Sequence, residues 1–322
     1  MDRLVLTLFI IFVSLAAGYL FQMLWRTGRI AVTETMALSL RLNLQKIAMF
    51  GLIPLSAMLS LWGLASPDSR LLALPVLGVL AWIAGGILAI ALSRLMRLDN
   101  AQTGSMYCCG TFTNIGAVGT LVCVMNFGEQ AIAYTSLYRL CEELFYFGVA
   151  YPVVQWFSSA RTGRFTLSGF RLQPVLKVVL LALGLGLALN MLSVPRPAVF
   201  GTLASGAMLA GTVFFLLAIG MSLRLSRVTC YLPHSAAISL IKFLLVPCIV
   251  TALAMFTGLK NIDGGLPLRV VFILSAMPVA MNALVPPSLF GLDVDLANAT
   301  WIVTTLALVI VLPVILLVLP LL

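Results

Sequence analysis

Ionisable side chains inside apolar runs are where this chain could do chemistry. Arg139, Glu142 and Glu143 fall near the centre of one such run, and Lys242 lies in another. An ionisable group at the centre of a bilayer costs about 2.5 to 3.5 kcal/mol on insertion scales, so a cluster of this kind does not face lipid. On one helix Arg139 meets Glu142 at i+3 and Glu143 at i+4, the spacings at which helical side chains touch. One carboxylate then neutralises Arg139, and the other needs Lys242 or a proton. Two readings stay open. In one, a carboxylate alternates between protonated and ionised forms and couples the movement of a solute to H+ or Na+; in the other, the cluster is a self-neutralising brace between helices. For Lys242 the expectation is an ammonium that snorkels toward the cytoplasmic surface.

Enzymatic chemistry fits these residues poorly. Adjacent carboxylates suggest a metal-dependent intramembrane protease, but the one histidine, His234, sits beside Pro233 as an interfacial residue, and a zinc-type site has no ligand set. No G-x-S-x-G or phosphate-binding loop occurs. The expectation is no catalytic residue, no metal and no cofactor apart from H+ or Na+ as a coupling ion. The six cysteines, Cys108, Cys109, Cys123, Cys141, Cys230 and Cys248, contain no CxxC pair. They read as small core residues, not as a disulfide framework.

A second signal comes from two interrupted apolar runs. One carries Gly110, Thr111, Phe112, Thr113, Asn114, Ile115 and Gly116 at its middle, where a lipid-facing helix would have Leu and Val. The other carries Ser275 to Asn282 with Pro278, which removes a backbone donor and clashes with the preceding turn. Counting back 13 residues from Phe127 reaches Asn114, and from Phe290 reaches Met277, so the interruptions occupy corresponding places. Unwound backbone at membrane depth, followed by the N-terminus of a half-helix, suits a small anion. The residues expected at such a site are Thr113, Asn114, Gly116, Pro278, Met281 and Asn282. The competing explanation is that the two asparagines are interhelical hydrogen-bond glue and Pro278 a simple kink.

The elements that must position these groups are set by composition. Of 322 residues 62% are apolar, against 19 basic and 10 acidic side chains. Mean hydropathy is +1.14. A soluble domain carries about a quarter charged residues, so lipid is the expected solvent. At about 20 residues per crossing, the apolar content suffices for roughly ten helices. Apolar runs fall near 4–24, 44–64, 70–93, 101–127, 130–158, 174–192, 199–222, 233–258, 267–290 and 295–320. The first lacks a cleavage site and reads as a retained helix. With alternate loops on alternate sides, 12 basic residues gather on one side and 5 on the other. The positive-inside rule then places both termini outside and the basic 159–173 loop in the cytoplasm, which explains the +9 charge without a nucleic-acid partner.

That loop separates two stretches, 1–158 and 174–322, of five spans each, and an odd number per half gives the halves opposite orientations. Asn126-Phe127-Gly128 echoes Leu289-Phe290-Gly291, and Tyr151-Pro152-Val153-Val154 echoes Leu312-Pro313-Val314-Ile315. Inverted repeats of this kind are a transporter design. The expected fold is an all-α polytopic membrane protein of ten transmembrane helices, two inverted five-helix repeats whose broken helices four and nine cross near the midplane.

The chain resembles the auxin efflux carrier family. The resemblance rests on Gly51 to Ser60 with Pro54, Thr113-Asn114-Ile115-Gly116 leading to Phe127-Gly128-Glu129, Ile219 to Leu223, Lys242 followed by Pro247, and Ala276 to Ala283. It implies a substrate site where helices four and nine cross, and transport by a rocking or elevator-like movement of one subdomain. Members of the family often have Gly-x-Pro after the first crossover, whereas this chain has Gly119-Thr120-Leu121. The Arg139, Glu142, Glu143 cluster is also unusual for the family. The resemblance thus points to a permease of the cell membrane that carries a small organic anion, such as a mono- or dicarboxylate. A bile-acid-type sodium symporter and a membrane ligand sensor without transport are the alternatives. Its partners would be the anion, the bilayer and, as an option, a second copy of the chain.

Overall fold

The computed structural model describes residues 2–64, 68–162, 174–223 and 228–321. Among these the chain is helical throughout, without a strand. Helix α1 is Asp2–Arg26 and α2 is Glu34–Trp62. Next come α3 (Ala73–Leu95), α4 (Asn100–Thr111), α5 (Ile115–Phe127) and α6 (Gln130–Tyr138). Helix α7 covers 142–162, followed by α8 (Pro174–Met191), α9 (Val199–Gly220) and α10 (Val228–Met255). The last three are α11 (Leu266–Ser275), α12 (Val285–Phe290) and α13 (Val294–Val318). Six helical stretches are long and apolar enough to cross a membrane: α1, α2, α3, α9, α10 and α13, with α3 and α13 slightly extended. The chain is a multi-pass membrane protein. Of the basic 159–173 loop, residues 163–173 lie outside the described residues.

Two expectations about the helices need correction. Helix α2 begins at Glu34, ten residues before the apolar run, because Thr33 caps it by accepting from the Met36 amide. The polar residues of its first turns hid this extension. The run 130–158 is not one helix. It stops at Tyr138 and restarts at Glu142, and the intervening turn holds Arg139.

Proline spacing explains a recurrent irregularity. Wide π-helical turns occur at Ala48–Leu52, Tyr146–Ala150 and Ile241–Leu245, each ending two residues before a proline, Pro54, Pro152 and Pro247. Proline has no N–H and excludes the carbonyl four residues back, so the helix widens to accommodate it. A fourth wide turn, Ile115–Gly119, forms without proline at Leu121, directly after a helix break.

The chain divides into two compact units, each interleaved along the sequence. The first comprises Met1–Asp68, Gly116–Ser136 and Gln173–Arg224. In it α1 and α9 cross where Gly18 and Gly220 abut; a Cβ on either would lie 2.2 Å from a carbonyl oxygen of the other helix. Glu129 pairs with Arg196, whose guanidinium also donates to the Leu59 carbonyl at 2.7 Å. Small residues let backbones approach where no hydrophobic force acts between helices in lipid.

The second unit comprises Ser69–Ile115, Leu137–Leu172 and Leu225–Leu322. Here Gly85 of α3 and Gly110 of α4 meet, and a Cβ on either would lie 2.1 to 2.3 Å from the other's carbonyl oxygen. Ser235 of α10 and Thr300 of α13 hydrogen bond at 3.3 Å, and Tyr231 donates to the Asp293 carboxylate. Of the cysteines, Cys108, Cys109 and Cys123 are buried, but Cys230 and Cys248 are exposed and do not belong to the core.

Candidate functional site

The two interrupted runs meet within the second unit. Helix α4 ends at Thr111 and α11 at Ser275, and the extended residues that follow pair as an antiparallel bridge between Thr113 and Val279. The Asn114 amide donates to the Pro278 carbonyl at 2.8 Å, and the Ala280 amide to the Phe112 carbonyl at 3.1 Å. Buried backbone groups freed from a helix must find protein partners, and each break supplies them to the other.

Side chains complete the accounting. The Thr113 amide donates to the Tyr146 hydroxyl at 3.3 Å, and the Val279 amide to Thr304 Oγ1 at 3.3 Å. The Thr304 hydroxyl proton goes back to its own helix, to the Thr300 carbonyl at 2.9 Å, which leaves an oxygen lone pair for Val279. The amides of Thr113, Asn114, Val279 and Ala280 are therefore occupied by protein partners. At these four positions the expectation of free backbone N–H groups waiting for an anion is corrected.

A cation stands in their place. Lys242 is 1% exposed, and its Nζ donates to Thr113 Oγ1 at 2.6 Å. Among the described residues no carboxylate lies within 4 Å of it. The snorkelling expectation fails, because the wide turn Ile241–Leu245 directs this side chain into the unit and onto the first break. An ammonium has three donors. A buried one with a single hydroxyl partner and no counter-charge is costly unless an anion joins it.

The remaining expected residues separate. Asn114 is buried beside the bridge, and Pro278 is buried within it. Met281 and Asn282 lie in the short turn that follows the second break, Met281 half-buried and Asn282 exposed. Gly116 is half-buried in the wide turn after the first break and is counted in the first unit. Arg139 binds Glu142 through Nε and Nη2, both at 2.7 Å to Oε2. Glu143 is half-buried, and among the described residues neither Arg139 nor Lys242 forms an ion pair with it.

Tyr146 and Thr304 were missed, although each satisfies an amide at the bridge. Asn298, Thr300, Thr304 and Thr305 form a buried polar set on a helix that is apolar from Leu306 onward, which was a readable signal. Tyr146 and Lys242 both lie in wide turns shortly before a proline, which was another.

Residues 164–316 match a family model described as membrane transport protein. That stretch contains Lys242, Pro278, Met281 and Asn282; Thr113 and Asn114 lie outside it. No curated protein matches the chain.

Proposed function

We propose that this chain, whose residues 164–316 belong to the membrane transport protein family of the auxin efflux carriers, is a secondary transporter of a small organic anion. The family is one of transporters, not enzymes. The observation that carries the reading is Lys242, a buried ammonium held at the crossing of two broken helices with no carboxylate beside it among the described residues. A carboxylate substrate supplies the missing counter-charge, with Thr113 orienting the ammonium and the exposed Asn282 offering a polar contact. Asn114, Gly116, Pro278 and Met281 shape the surrounding backbone.

The ten-span, inverted-repeat architecture belongs to this proposal. Its support is the way each half of the chain divides. Residues 1–68 and 173–224, which hold the first two spans of each half, fall in one unit, and the later spans fall in the other apart from Gly116–Ser136. Movement of one unit against the other would give alternating access. The excess of basic residues on one side supports termini outside, the 159–173 loop in the cytoplasm and residence in the cell membrane. Glu143 is the proposed proton carrier, since Glu142 already neutralises Arg139.

Counterflow of radiolabelled mono- and dicarboxylates in proteoliposomes tests the assignment. Wild-type protein should exchange at least one of them, and Lys242→Met should lose roughly tenfold or more of the rate while keeping its melting temperature. Wild-type rates in Lys242→Met would remove the ammonium from the site, and saturable binding without counterflow would make the protein a sensor. Glu143→Gln should flatten the pH dependence of exchange. Unchanged pH dependence would exclude Glu143 from coupling.

A further inference from the structure

The first unit holds a cavity unconnected with the helix breaks. It opens where α1 ends, α2 begins and α9 ends, and has a volume of about 200 Å³. Its polar lining is Gln22, Trp25, Arg26, Glu34, Arg41 and Ser222. Two guanidiniums thus face one carboxylate, and among the described residues none of the three is in an ion pair within 4 Å.

Arg26 lies in the last turn of α1, where a cation offsets the carbonyl ends of the helix. Arg41 has no such explanation. It sits in the interior of α2, and its Nε is buried without an acceptor. A guanidinium carries five donors in a planar fork that matches the oxygens of a phosphate in bidentate fashion. A buried donor left unmade costs stability unless a ligand supplies the acceptor.

The other walls indicate what carries the phosphate. Phe21, Leu38 and Met221 line the same cavity. Leu38 is exposed and is followed one turn on, on the same side of α2, by the exposed Leu42. Trp25 is of the type that settles at headgroup depth. A free ion would leave this apolar track unused, whereas a phospholipid places its phosphate on the arginines and its chains along α2. At ~30 Å³ per water the volume is that of about seven waters, enough for a headgroup but not for acyl chains.

We propose that this cavity binds the phosphate of an anionic phospholipid. A zwitterionic lipid presents the same phosphate but adds a quaternary amine, which meets a lining of two arginines against the single carboxylate of Glu34 and so a net positive charge. Basic residues on the cytoplasmic side also meet the leaflet richer in anionic lipid.

The test uses full-length protein purified in mild detergent, delipidated, and returned to mixed micelles of phosphatidylglycerol or phosphatidylcholine, or given inorganic phosphate alone. Native mass spectrometry counts bound lipid, and thermal melting reports stabilisation. Wild type should retain phosphatidylglycerol and melt higher with it than with phosphatidylcholine. The Arg26→Gln, Arg41→Gln variant should retain it roughly tenfold less, with an unchanged melting temperature in phosphatidylcholine. Equal retention by the variant would overturn the site. Equal protection by inorganic phosphate would overturn the lipid and leave a free-anion site. Should the double variant not be recovered, Arg41→Gln alone must lower retention, and wild-type retention there overturns the proposal.

Discussion

The two helix breaks do the same geometric job with opposite chemistry. The first, at Phe112 to Asn114, has no proline and depends on side chains: Thr113 receives Lys242, and its amide rests on Tyr146. The second, at Ala276 to Ala280, is apolar apart from its backbone, and Pro278 makes a continuous helix unfavourable. Its side-chain support comes from Thr304. A break made by side chains can hold a charge, and a break made by proline can hold only a shape. The ammonium accordingly rests on the first break, and the second contributes the carbonyl that anchors Asn114.

This asymmetry ranks the effects of substitution. Thr113→Val should be the most damaging change at the bridge, because it leaves Lys242 without its acceptor. A hydrogen bond to a charged group is worth about 1.5 to 3 kcal/mol, so carboxylate exchange in proteoliposomes should fall roughly 10- to 100-fold, with Thr113→Ser close to wild type. Loss in Thr113→Ser with wild-type rates in Thr113→Val would show that the methyl group, not the hydroxyl, matters. Thr304→Val strands the Val279 amide and should lower stability by about 1 to 2 kcal/mol, read as a melting temperature reduced by a few degrees. Pro278→Ala should do least, about 1 kcal/mol or less, because the bonds from Asn114, Val279 and Ala280 that hold this segment do not use the proline ring. If Pro278→Ala lowered exchange more than Thr113→Val, the ranking of the two breaks would be reversed.

Much of this arrangement could be read from residue types. The matched interruptions were visible as small and polar residues at one place and as Pro278 at the other. The restart at Gly128 and Gly291 was visible too, and both glycines adopt positive φ. Span five misled, since Arg139, Glu142 and Glu143 fit a continuous helix by spacing. The turn at Arg139 lets the guanidinium close on Glu142 alone. Lys242 misled for a different reason. Its distance along a helix to the nearest interface suggested an escape to water, but the direction of a side chain depends on the local winding of the backbone, and a wide turn changes that direction.

Composition and spacing were enough to establish a helical membrane protein, because hydrocarbon leaves a backbone only helices or closed barrels to satisfy its amides, and long unbroken apolar runs fit the helix. The tertiary structure decided which interruption pairs with which. It also decided that a lysine 129 residues from Thr113 meets it, and that both halves of the chain contribute to each unit. Helix formation is local and follows from the solvent. The meeting of Thr113, Val279 and Lys242 depends on the packing of distant helices, for which no local pattern of residues is a sufficient cause.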